Sequence, residues 1–236
     1  MTRKMHFFRR LADAAFSLLY PHLCLACSRD LPPYSLSFCM SCRLAMPETD
    51  FHLQEENSFT DRFWGRLPLE AGAAMLYFRR HGLTQNLMHN LKYRGKREVG
   101  TELGRIYGRQ LATSDLFKGI DVIIAVPLHP RKERWRGFNQ SDYFAQGLSE
   151  SMQIPHWKNM LIRTLATESQ TTKSRFERLE NMQDAFQVKN PKTLEAKHIL
   201  LVDDVLTTGA TLEACALKLL EVPDTKVSMA TIAIAI

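Results

Sequence analysis

The sequence predicts an α/β protein, a parallel sheet flanked by helices, preceded by a small module built on four cysteines. Short apolar runs at residues 121–126 and 197–202 suit strands buried on both faces, the usual setting of parallel strands. Segments with apolar residues three and four apart lie between such runs, so strand and helix alternate as in βαβ units. Two Cys-x-x-Cys pairs within residues 22–45 set the N-terminal part off from the rest.

The chain has 236 residues, enough for one domain of about 100–200 residues with a small module attached. Hydrophobic residues at 45% and charged residues at 24% exclude a wholly disordered or fibrous chain. The net charge of +6 favours polyanions without demanding one, and no long Lys/Arg block accompanies it.

At the N-terminus Phe8, Leu11, Ala15 and Leu18 share one face of a helix that stops before Pro21. Arg9, Arg10 and Asp13 interrupt its apolar run, no small-residue cleavage pattern follows, and no stretch approaches the ~18 apolar residues of a membrane span. A cytoplasmic protein is the simplest expectation. The helix and cysteine module occupy residues 1–46, the polar stretch 47–70 is a linker or irregular connection, and the main domain spans 71–236.

Within that domain a strand at 71–78 turns through Arg80-His81-Gly82 into a helix at 83–93, with Leu83, Leu87 and Leu91 four apart. A basic turn at 92–96 and a second helix at 99–111 follow. The strand at 121–126 leads to a basic loop at 130–137, a helix at 139–152 and a short apolar piece at 160–162. Residues 163–175 have little periodicity and read as a polar loop, with a helix at 174–182 after it. The strand at 197–202, a helix at 211–220 and a strand of small and β-branched residues at 227–236 complete the alternation.

Cys24 and Cys27, eleven intervening residues, then Cys39 and Cys42 supply two thiolate knuckles spaced to meet around one tetrahedral Zn²⁺. Four thiolates saturate the metal and leave no open position, so the zinc is expected to be structural. Disulfides are disfavoured in a reducing compartment. The fifth cysteine, Cys215, lies in a helix and reads as a small core residue.

The most informative segment begins where the apolar strand runs into Asp203 and Asp204, then Val205-Leu206-Thr207-Thr208-Gly209-Ala210-Thr211 and a helix. Peptide N–H groups left free in a first helical turn bind an anion, and Gly209 lets backbone approach it closely. Thr207, Thr208 and Thr211 add hydroxyl donors. Asp203 and Asp204 cannot bind phosphate, so they call for hydroxyl donors or a hydrated divalent cation beside it. A carboxylate pair next to a phosphate cradle describes a ribose 5-phosphate held at both ends. An Asx cap on an ordinary turn explains one Asp, but not the pair with Thr-Thr-Gly-Ala-Thr behind it. No G-x-G-x-x-G follows this strand and no G-x-x-x-x-G-K-[ST] occurs, which disfavours dinucleotide and P-loop folds.

This segment resembles the signature loop of type I phosphoribosyltransferases. With both Cys-x-x-Cys pairs, Leu91-Lys92-Tyr93-Arg94-Gly95-Lys96, Val126-Pro127-Leu128-His129-Pro130-Arg131, Arg136-Gly137-Phe138-Asn139-Gln140 and residues 178–186, nearly the whole chain resembles the ComF/GntX family. The resemblance implies a phosphoribosyltransferase-type sheet and a phosphoribosyl diphosphate ligand, or a related sugar phosphate, taken with Mg²⁺. Asp203 and Asp204 would contact the ribose 2- and 3-hydroxyls, and Thr207, Thr208, Gly209, Ala210 and Thr211 the 5-phosphate. Leu128, His129 and Arg131 would lie on the pyrophosphate side, with Lys132, Arg134 and Arg136 as neighbours facing it, DNA or solvent. Arg163, Gln170 and Arg175 would belong to a mobile loop that closes over the site.

No residue stands out as a general base. Family members are associated with DNA uptake in competence or with use of external DNA, which implies competence or DNA-processing proteins as partners. Two readings follow: a Mg²⁺-dependent phosphoribosyltransferase, or a single-stranded-DNA-binding competence factor on a catalytically inactive form of the same fold. For the second, Tyr93, Trp135 or Phe138 would be stacking platforms along a basic path.

Overall fold

The computed structural model describes residues 22–32, 37–164 and 185–236. The expected helices at the N-terminus and at 174–182, together with Gln170 and Arg175, lie outside the described residues. The chain divides into two compact units, Met1–Met46 and Pro47–Ile236.

In the first unit, backbone bonds close a turn around Cys24, with Ser28 N–H donating to Cys24 O at 2.9 Å and Cys24 N–H to Arg29 O at 2.8 Å. Ser28 takes a left-handed φ of 58° to make that reversal. The second cysteine pair opens the short helix α1, Met40–Leu44, whose N-cap is Cys39.

The second unit is built on a four-stranded parallel sheet. Its strands are β1 (Gly72–Phe78), β2 (Val122–Ala125), β5 (His198–Leu206) and β6 (Lys226–Ala235), in the order β1-β6-β5-β2. All three pairings are parallel. β6 is buried from Val227 to Ile234, and its small and β-branched residues fit a strand with a neighbour on either side and layers on both faces. A separate antiparallel pair joins β3 (Leu161–Arg163) to β4 (Phe186–Val188). The helices are α2 (Leu83–Tyr93), α3 (Glu98–Thr113), α4 (Pro130–Arg136), α5 (Gln140–Met152) and α6 (Ala210–Leu220).

α3 and α5 touch through glycine. A Cβ on Gly147 would lie 2.0 Å from the Thr101 carbonyl oxygen, and one on Gly104 would lie 2.3 Å from that of Phe144. Only hydrogen fits at either position, so the backbones meet without side chains between them. This contact fixes α5, and with it the residues that α5 presents to the sheet.

Residues 47–70 are irregular in secondary structure but packed. Glu48 bridges to Leu76 on the otherwise open side of β1, Thr49 N–H donates to Met75 O at 3.1 Å, and Tyr77 N–H to Pro47 O at 2.8 Å. Phe51, Phe59 and Phe63 are buried, and the Asn57 amide donates to Gly72 O at 3.0 Å. The segment covers an edge strand that would otherwise expose its hydrogen-bonding groups.

The basic loop expected at 130–137 is a helix. His129 Nδ1 accepts from Arg131 N–H, Pro130 occupies the first turn, and Gly137 ends the helix at φ 77° with its N–H on Glu133 O. Seven residues give too few turns for a hydrophobic period, yet Pro at the start and Gly just past the end are ordinary helix boundaries. Among the described residues no helix is long and apolar enough to cross a membrane.

Candidate functional site

The ends of β2 and β5 lie side by side, Ala125 opposite Val202, and both open toward the carboxyl edge of the sheet, where α/β folds hold ligands. β5 carries Asp203 and Asp204 at that edge, and residues 207–209 lead into α6. Gly209 adopts φ +84°, and a Cβ there would stand 3.1 Å from the Phe63 ring. The left-handed backbone favours glycine, and a Cβ would in addition press the phenyl ring back by a few tenths of an ångström. Asp203, Thr207, Thr208, Ala210 and Thr211 line one hollow at the start of α6. Among the described residues no side chain caps this helix beyond a long Ala210 N–H to Thr208 Oγ1 contact of 3.5 Å.

The two carboxylates are held by the start of α5. Asn139 is the N-cap and accepts from Ser141 N–H at 3.2 Å, while its amide donates to Val126 O at 3.0 Å, tying α5 to the end of β2. Ser141 Oγ then donates to Asp203 Oδ1 at 2.9 Å, and Gln140 Nε2 to Asp204 Oδ2 at 2.5 Å. Lys92 Nζ, at the end of α2, lies 2.8 Å from the same Asp204 oxygen. Arg136 Nη1 donates to Gln140 Oε1 at 2.8 Å and orients that amide. Asp203 Oδ1 also accepts the Asp204 N–H at 2.8 Å. Among the described residues, Asp203 Oδ2 and Asp204 Oδ1 accept no hydrogen bond, so one oxygen of each carboxylate is left to a ligand. Burial first, and then the neighbouring Asp204 charge, push the Asp203 carboxyl up to about 7, against the lowering contacts of Ser141 and Lys92. A pair in that state gains from hydroxyl donors or a cation.

On the side of β2, Leu128 and His129 are half-buried and Arg131, Lys132 and Arg134 exposed. Partial burial, then the charges of Arg163, Arg131, Lys132 and Arg134, hold His129 below its ordinary value. Arg163 is in β3 rather than in a loop, with its guanidinium 5.2 Å from the Phe186 ring centroid. Phe138, expected as a stacking platform, is buried under Arg97 at 4.9 Å and against Tyr143 at 5.4 Å. Tyr93 and Trp135 are exposed.

Sequence reasoning placed Lys92 only on the basic path along a single strand, and gave neither it nor Gln140 or Ser141 a role at the carboxylates. The only available signal was that Lys92 and Gln140 sit in two of the basic segments carrying the family resemblance.

In the first unit, the ligand atoms of Cys24, Cys27, Cys39 and Cys42 all lie within 4.8 Å of one another, and none is in a disulfide. Cys39 N–H donates to Cys24 Sγ at 3.3 Å and Cys42 N–H to Cys39 Sγ at 3.5 Å. Backbone N–H groups turned onto sulfur suit thiolates, and the four-sulfur set fits a tetrahedral metal ion. Cys215 is buried in α6, where burial raises its thiol well above the ordinary value, as for an inert core residue.

No protein-family model matches the chain. It is 35% identical over 137 residues to the DNA utilization protein YhgH of Escherichia coli O157:H7, covering 57% of this chain and 60% of that one. It is 38% identical over 93 residues to Competence protein F of Haemophilus influenzae, covering 39% of this chain and 41% of that one. With Competence protein ComFC of Bacillus subtilis it shares 40% over 100 residues, covering 42% and 38%. The matches thus span at most about three fifths of these relatives' length. Among solved structures, glutamine phosphoribosylpyrophosphate amidotransferase of B. subtilis aligns with TM-score 0.42 and 20% identity, covering 61% of this chain and 30% of that one. Adenine phosphoribosyltransferase from Leishmania tarentolae aligns with TM-score 0.40 and 12% identity, covering 80% and 94%. In sequence the chain is thus similar to proteins named for DNA utilization and for competence, over part of their length.

Proposed function

We propose that the chain binds phosphoribosyl diphosphate with Mg²⁺ and serves the utilisation or uptake of DNA. The observation that carries the ligand is the half-satisfied carboxylate pair at the end of β5. One oxygen of each Asp is fixed by α5, the other is left for a sugar hydroxyl or a hydrated cation, and the glycine-turned start of α6 stands beside them. Asp203 and Asp204 would hold the ribose hydroxyls, and residues 207–211 the 5-phosphate, by hydroxyls and free N–H groups. Leu128, His129 and Arg131 would face the diphosphate, whose charge Mg²⁺ would share. The process is supported by the names of the relatives. The four cysteines would hold a structural Zn²⁺, since their donor set leaves no position for a substrate.

Thermal unfolding tests the ligand. At a hundred times its Kd a ligand adds about 2.7 kcal/mol, and at about 2–4 °C per kcal/mol phosphoribosyl diphosphate with Mg²⁺ should raise Tm by about 5–10 °C. The bound state favours ionised Asp203, and the free protein holds it protonated below about 7. Affinity should therefore rise with pH through that value, by about tenfold between pH 6 and pH 8. An unchanged Tm at both pH values would remove the proposal.

A further inference from the structure

The sequence offers Tyr93, Trp135 and Phe138 as stacking rings without placing them; the structure buries Phe138 and leaves the other two open, in contact with each other. Tyr93 ends α2 and Trp135 lies in α4, and their ring centroids come within 5.9 Å at an interplanar angle of 62°. Both are exposed, Tyr93 by 56% and Trp135 by 70%. Two large rings in mutual contact and both open to water form an apolar surface that a planar partner can cover.

These rings are anchored rather than loose. His89 packs against Tyr93 at 5.3 Å, and the Arg136 guanidinium lies 5.5 Å from the Tyr93 centroid. That leaves Trp135 as the open face and Tyr93 as its brace. Two connections lead from the rings to one carboxylate: Arg136 to Gln140 to Asp204, and Lys92, adjacent to Tyr93, directly to Asp204. The exposed cations Arg131, Lys132 and Arg134 in the same helix oppose a cationic ligand and suit one that carries phosphate. A planar ring surface, linked through Arg136, Gln140 and Lys92 to a carboxylate pair beside a helix start, supplies the parts that nucleotide recognition needs.

We propose that Trp135, braced by Tyr93, is a stacking platform for a nucleobase that lies beside the sugar-phosphate site. The placement rests on the reading of Asp203 and Asp204 as the ribose contacts, whereas the stacking itself does not. The base belongs to a free small molecule or to a single strand, and the experiment separates the two.

Equilibrium dialysis of the full chain with labelled adenine, and separately with a single-stranded oligothymidylate, would be run on wild type, Trp135→Ala, Trp135→Phe and Trp64→Ala. Each would be measured with and without phosphoribosyl diphosphate and Mg²⁺. The proposal expects Trp135→Ala to weaken binding about tenfold, Trp135→Phe to restore most of it, and Trp64→Ala, which removes an equally exposed ring elsewhere, to leave it unchanged. Dependence on Trp135 for adenine assigns a free base; dependence for the oligomer alone assigns a strand. Binding of neither probe, or binding of both without regard to Trp135, overturns the platform. Phosphoribosyl diphosphate protection against heat, read on the same variants, keeps the two failures apart: its absence from wild type removes the sugar-phosphate reading, whatever Trp135 does.

Discussion

The ends of two neighbouring strands, β5 and β2, carry the two halves of the candidate site in different ways. After β5 the chemistry is contiguous: two carboxylates, hydroxyls, a left-handed glycine and a helix start follow one another in nine residues, 203–211. After β2 it is assembled. Val126 is tied to Asn139, the start of α5 returns Gln140 and Ser141 to the carboxylates of β5, and α2 adds Lys92 from the other side of the sequence. A contiguous motif announces its ligand in the sequence, whereas an assembled one depends on packing that brings separate segments together.

The contrast can be broken by loosening the packing. Gly147→Ala forces a Cβ to within 2.0 Å of backbone in α3, and such overpacking is expected to cost about 3 kcal/mol or more, with α5 displaced from the carboxylates. Denaturant unfolding would read the loss, and a variant as stable as wild type would show that α5 is not held in this way. A finer change leaves the packing alone. Gln140→Leu removes the amide bonded to Asp204 and to Arg136; a hydrogen bond to a charged group contributes about 1.5–3 kcal/mol to the folded state, so Tm of the free protein should fall by about 3–12 °C, and phosphoribosyl diphosphate should bind more weakly because the Asp204 carboxylate is no longer oriented. Unchanged affinity would mean that the assembled half does not support the contiguous one.

The same distinction explains what could be read from residues alone. The helix expected at 83–93 has those bounds in α2, and Leu87 and Leu91 lie on its buried face, with Leu83 half-buried at its start. The apolar runs became β2, β5 and β6, since a strand buried on both faces needs apolar side chains at every position. α4 was missed because seven mostly charged residues carry no period. The close crossing of α3 on α5 was missed because a glycine in a helix looks like a weakness until the facing backbone is known. The covering role of 47–70 was hidden by its polarity, as Phe51, Phe59 and Phe63 are scattered and gain meaning only where they pack. In the site, Asp203, Asp204 and the glycine turn were legible. Lys92, Gln140 and Ser141 were not, because a lysine, an amide and a hydroxyl signal nothing until their distances to Asp203 and Asp204 are known.

Calorimetric titration of phosphoribosyl diphosphate, with and without Mg²⁺, into wild type and the double variant Asp203→Asn, Asp204→Asn tests the central claim most directly. The account predicts saturable, Mg²⁺-strengthened binding to wild type and its loss in the double variant, with both proteins folded and zinc-loaded. Equal binding by the two proteins, or none by wild type, would contradict it.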